Sequence, residues 1–167
     1  MRVVTKRTPK GKTIAHTLLL AAAGLASGVI IKLLDSYTSN LGNIFSQMSV
    51  WIFLCVLISA YSSTPKRAAV NVFAFCAGML LSYYLTAELT QSPYSFSFIV
   101  GWAVFSLFSP LMAYLTWFAR GRGLFAWMLT AGIVAAMMVI AVVLFDKIRI
   151  SDVVLAALTV IALLKKK

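Results

Sequence analysis

The sequence predicts an all-α integral membrane protein, a bundle of six transmembrane helices with both termini cytoplasmic. Three observations predict it. Hydrophobic residues fill 62% of the 167 positions, with a mean hydropathy of +0.95. Only 11% are charged, well under the roughly 25% of a soluble domain. The apolar residues gather into successive runs, most near the roughly 20 residues a helix needs to cross the hydrocarbon core, and the basic residues concentrate in alternate connections.

The first run, "IAHTLLLAAAGLASGVIIKLLDS", places a helix near 14–36. Its basic prelude and apolar stretch resemble a secretion signal in composition, but the run is long and further spans follow, so an uncleaved helix is expected. The second span is placed near 44–63. The third, near 68–89, follows "SSTPKR"; the fourth, near 96–119, follows "TQSPYS"; the fifth, near 124–145, follows "RGRG". Each of these breaks carries the Pro, Gly or polar residues of a turn. The sixth, near 149–164, is short enough to be an interfacial helix. Within the fourth, Pro110 removes a backbone donor and should kink the helix, with Ser106 and Ser109 available to satisfy freed groups.

Orientation follows from the bias of Lys and Arg toward cytoplasmic segments. Arg2, Lys6, Arg7, Lys10 and Lys12 precede the first span, Lys66 and Arg67 fall in the second connection, Arg120 and Arg122 in the fourth, and Lys165, Lys166 and Lys167 in the tail. Lys32, Lys147 and Arg149 fall on the opposite side. Both termini are then cytoplasmic in a bacterial inner membrane, which requires an even number of spans and so includes the sixth. Asp35, Glu88, Asp146 and Asp152, all the acids of the chain, fall at external ends.

The net charge of +11 is dispersed between apolar runs, which argues against a nucleic-acid partner and for a lipid bilayer. No HExxH, CxxC, nucleophile elbow or phosphate-cradling glycine loop is present, so no enzyme and no cofactor is expected. Cys55 and Cys76 lie within apolar runs and outside any closely spaced motif, so they read as small hydrophobes with no disulfide or metal. His16, the single histidine, reads as an interfacial imidazole. Asn71 reads as interhelical glue. Trp51, Trp102, Trp117 and Trp127 lie toward span ends, where aromatic belts form; Trp51 and Trp102 could instead line a pocket.

At about 100° per residue, Ala21, Gly24, Gly28, Lys32 and Asp35 share a face of the first helix, and Ala74, Ala77, Gly78, Leu81, Tyr84 and Glu88 share one of the third. Asp152 aligns with Ala156 and Thr159. Small residues face neighbouring helices more often than lipid, so the charges at the outer ends of these stripes are expected to converge on an external vestibule. Its candidate ligand-binding residues are Lys32, Asp35, Asn40, Asn43, Tyr84 (or its neighbour Tyr83), Glu88 and Asp152, with Lys32 as counter-ion to Glu88 or Asp35. The alternative is that these charges snorkel to water and the tyrosines are ordinary interfacial anchors.

A compact basic chain of about six spans, with an outward polar vestibule and a long first external loop, resembles the substrate-binding S components of energy-coupling-factor transporters. The resemblance implies capture of a small-molecule solute outside the cell and association with a transmembrane coupling protein and ATPases. In that family the first helix often presents an Ala-xxx-Ala surface to the coupling protein. Ala22 and Ala26 have this spacing, with Gly24 and Gly28 beside them as a further helix-packing or partner surface. The expected function is a non-enzymatic solute-binding transport subunit; the alternative is a membrane scaffold or accessory subunit with no solute site.

Overall fold

The computed structural model describes residues 10–37, 47–91, 96–121, 123–145 and 148–164. They form six helices: α1 (Lys10–Tyr37), α2 (Met48–Tyr61), α3 (Pro65–Leu89), α4 (Phe96–Ala119), α5 (Leu124–Phe145) and α6 (Ile150–Leu164). Four contain apolar stretches long enough to span a membrane: Thr13–Tyr37, Pro65–Leu89, Ile99–Ala119 and Leu124–Val143. At 1.5 Å per residue, α2 with 14 residues and α6 with 15 extend about 21 and 22 Å, short of the roughly 30 Å hydrocarbon core. The second helix thus begins later than the sequence suggests; residues 44–46 lie outside the described residues.

Leu18, Leu19, Ile30, Leu81, Leu107, Val143 and Ile161 are among many large apolar side chains left exposed on the long helices and on α6. A soluble monomer rarely exposes so much contiguous apolar surface. Lipid is the solvent this exterior suits.

Short α2 is the centre of the bundle, packing against α3, α4, α5 and α6, while α1 lies along α3. Ile31, Trp51, Val72, Phe75, Cys76, Met79 and Ala113 form one core, and Val56, Ala60, Ala119 and Leu163 a second. Contacts between Ile31 and Trp51 at one end, and among Thr17, Asn71 and Ser62 at the other, set α2 antiparallel to α1 and α3. One end of the bundle therefore carries Asp35, Glu88 and Asp152, and the other Lys66, Arg67 and Arg120; these are termed the acidic and basic ends below.

Glycine decides how α1 and α3 meet. A Cβ on Gly24 would strike the Phe75 carbonyl, and one on Gly28 would strike the Met79 carbonyl and the Ser82 hydroxyl. Gly78 repays the approach from α3, facing the Ala21 carbonyl at 2.7 Å from where its Cβ would sit. The small-residue stripes thus bring two backbones together, which favours dispersion contacts where no hydrophobic force separates helix from lipid.

The chain also solves two backbone problems locally. Thr64 caps α3, its hydroxyl accepting from the Arg67 backbone N–H at 3.3 Å, and Pro65 occupies the first turn where no donor is needed. Pro110 lies within α4 and cannot donate to the Ser106 carbonyl four residues back. The Ser109 hydroxyl donates to that carbonyl at 2.8 Å, and the helix continues.

The end of α2 needs external donors because its last carbonyls have no intrahelical partner. Arg120 Nη1 donates to the Ala60 carbonyl at 2.7 Å, and Trp117 Nε1 to that of Ser62 at 2.9 Å. The Arg120 guanidinium also lies 4.6 Å from the Tyr61 ring centroid. Trp117 is therefore a structural donor as well as a residue near a span end. Asn71 joins the same junction as glue, its amide donating to Ser62 Oγ at 3.1 Å while its carbonyl accepts from Thr17 Oγ1 at 2.7 Å. Replacing Arg120 by Ala should destabilise the bundle by about 2 kcal/mol, the scale of a lost charge-assisted hydrogen bond. Thermal unfolding in mild detergent measures this, and Arg120→Lys should recover part of the loss.

Candidate solute pocket at the acidic end

Lys32 is 2% exposed. Burying an ammonium toward the end of a membrane helix is costly unless it is paired, and its surroundings supply the partners. Lys32 Nζ lies 3.7 Å from Asp35 Oδ2, one turn along α1, and 5.3 Å from the centroid of the Tyr83 ring on α3. The Tyr83 hydroxyl donates to the same Asp35 oxygen at 3.3 Å. Lysine, aspartate and tyrosine hold one another, and the Tyr83 ring is fixed from two directions.

Beside this triad lies a pocket of about 40 Å³ lined by Ile31, Trp51, Met79, Leu80, Tyr83, Tyr84 and Trp102. Four aromatic rings make its walls. Trp51 and Trp102 meet edge to face with centroids 6.2 Å apart, as do Tyr83 and Tyr84 at 5.3 Å, the geometry favoured by ring quadrupoles. Its lining comes from α1, α2, α3 and α4. Lys32 braces one wall from behind and does not line the space.

The expected vestibule residues divide into separate groups. Lys32, Asp35, Tyr83 and Tyr84 come together at the α1–α3 edge. Glu88 is exposed near Leu85 and Leu89 on α3 and does not line the pocket. The wheel that places Glu88 inward fails before the end of α3: Leu81, on the same stripe two turns earlier, is already 67% exposed. The ion pair of Lys32 goes to Asp35. Asn40, Asn43 and Asp146 lie outside the described residues.

Asp152 belongs to a second group, between the two short helices. It is 3% exposed. Ser49 Oγ donates to its Oδ1 at 2.5 Å, and the Arg149 backbone N–H donates to its Oδ2 at 2.9 Å, the reach-back half of a capping box. Ser151 Oγ donates to Gln47 Oε1 at 2.9 Å. Gln47 Nε2, also buried, has no hydrogen-bond partner among the described residues. The carboxylate thus starts α6 and ties it to α2.

Trp51 and Trp102, for which the sequence leaves open a pocket wall as well as a belt, both line the pocket, and Trp51 is 3% exposed. Two other placements were hidden in the sequence. Ser49, a single hydroxyl in an apolar run, is the partner of Asp152. Cys55 and Cys76 are free thiols whose sulfurs lie 3.4 Å apart across α2 and α3, a proximity no spacing motif could announce. Ala22 and Ala26 are exposed on α1, whereas Gly24 and Gly28 are buried against α3. The two motifs overlap in sequence and face different ways. Among the described residues, no three of His, Cys, Asp and Glu gather in a group suited to a metal ion.

The fold and the apolar exterior define a polytopic helical membrane protein with lipid-facing helices. No protein-family model matches the chain, and comparisons with curated proteins and with solved structures find no match.

Proposed function

We propose that the chain is a small-solute-binding subunit of a transport system in a bacterial plasma membrane, crossing it six times with both termini cytoplasmic and the acidic end outside. The observation that carries this is the aromatic pocket braced by buried Lys32, which Asp35 and Tyr83 hold from its more exposed side. Binding sites combine apolar walls with a few fixed polar groups. The pocket is much smaller than the roughly 300 Å³ at the lower end of ligand sites. It therefore takes only a small apolar end group, with the remainder of the solute lying over the mouth near Asp35. Under the resemblance to energy-coupling-factor S components, exposed Ala22 and Ala26 on α1 meet the coupling protein, and two ATPases supply the energy.

Purification from the native host in mild detergent, followed by mass spectrometry of bound small molecules and proteins, tests this. The wild type should retain a small molecule that Trp102→Ala loses by about tenfold, the scale of about 1.4 kcal/mol from a removed aromatic wall. Co-purifying ATPases would support the transport partnership. Equal small-molecule content in both proteins would count against the pocket. A second reading, an accessory subunit without a solute site, draws on the filled interior around Val72, Met137 and Thr159. It predicts a protein partner whose recovery is indifferent to Trp102.

A further inference from the structure

The basic end holds a larger and more polar pocket, about 200 Å³, lined by Thr13, His16, Tyr61, Ser62, Ser63, Arg67 and Asn71. It opens between α1, the α2–α3 turn and the start of α3. We propose that it binds a phosphate-type anion, supplied by the headgroup of an acidic phospholipid.

The chemistry of the lining selects the charge. Arg67 is the only residue of the lining with a permanent charge, and no acid lines the space. The Asp and Glu side chains of the described residues, Asp35, Glu88 and Asp152, all lie at the other end of the bundle. The Arg67 backbone N–H is engaged by Thr64, which fixes the first turn of α3 and leaves the guanidinium as the group that addresses the pocket. A guanidinium offers a planar fork that matches two oxygens of a phosphate. Around it, the Ser63 and Tyr61 hydroxyls and the His16 imidazole add hydrogen-bonding capacity. Asn71, already held by Thr17 and Ser62, gives the pocket a fixed floor.

The surroundings select the source. Ile14 and Leu18 on α1 and Val70 and Phe73 on α3 are exposed apolar side chains within two residues of the lining in sequence. A phospholipid seated by its phosphate can lay its acyl chains along such surface. A free phosphate would gain nothing from it. Basic pockets between membrane helices recognise acidic headgroups by this combination of local charge and apolar flank.

The test uses the full chain reconstituted in nanodiscs of mixed phosphatidylglycerol and phosphatidylcholine, then released for native mass spectrometry. The wild type should carry phosphatidylglycerol in preference to phosphatidylcholine, and Arg67→Gln should lose that retention by at least fivefold. Lys66→Gln removes the same charge one residue away, on an exposed side chain outside the lining. It should retain the lipid as the wild type does. Equal loss in both variants would reduce the effect to general surface charge and overturn the site, as would equal retention in Arg67→Gln. Inorganic phosphate forms the other arm: an Arg67-dependent thermal shift with phosphate but no lipid preference would keep the anion site and overturn its lipid source. Absence of both responses overturns the proposal outright.

Discussion

Gly28→Leu should destabilise the bundle by about 3 kcal/mol, the upper range for overpacking a close contact, and shift its thermal unfolding in detergent to much lower temperature. The reason is the absence of anything soft to displace. A Cβ at this position already meets the Met79 carbonyl and the Tyr83 backbone nitrogen as well as the Ser82 hydroxyl. Backbone cannot rotate away as a side chain can. α1 must then separate from α3, and α3 is the helix along which it is chiefly packed. Separation would also withdraw Lys32 from Tyr83, so the same variant should lose the pocket wall. Ala26→Leu, two residues away on an exposed face of the same helix, should leave unfolding nearly unchanged. Measured together, the two variants separate the packing stripe from the outward alanines that the sequence interleaves with it.

Asp152→Ala should cost about 3 kcal/mol, because truncation leaves buried polar partners behind as well as removing hydrogen bonds. Ser49 loses its acceptor, the Arg149 N–H loses its cap, and Gln47 Nε2 beside them is already without a partner among the described residues. Asp152→Asn keeps an acceptor oxygen and should recover a large part of the stability. Thermal unfolding of both variants measures the difference. Since Asp152 joins α2 to α6 and does not line the aromatic pocket, the asparagine variant should hold a solute as well as the wild type. A solute lost on this change would assign Asp152 to binding.

Helix existence and order were legible because hydropathy acts over whole runs. Six apolar segments became six helices, and four of them are long enough to span. Gly24, Gly28 and Gly78 were legible as packing residues because few residue types allow backbones so close. The functional arrangement was less so. Periodicity assigns a residue to a face but does not say where the neighbouring helix ends, and for this reason Glu88 sits exposed beyond the contact that encloses Ser82. Nor does it pair faces across helices. The sequence offers no cue that Ser49 meets Asp152 or that Cys55 meets Cys76, and it leaves Trp51 and Trp102 between an aromatic belt and a pocket wall. Shortening of α2 mattered as well: its ends fall within the bundle, where Arg120 and Trp117 meet its carbonyls, so residues near a span end became interior donors.

The most direct test of a solute pocket open to the outside is labelling of Tyr84→Cys in a Cys55→Ser, Cys76→Ser background. Intact cells are treated with a membrane-impermeant maleimide, with and without the low-mass fraction of the growth medium. An outward-facing, occupied pocket predicts labelling from outside that the low-mass fraction slows by about tenfold, the effect of a ligand present at roughly ten times its dissociation constant. Labelling only after the cytoplasmic face is opened, or at a rate the fraction does not change, would contradict it.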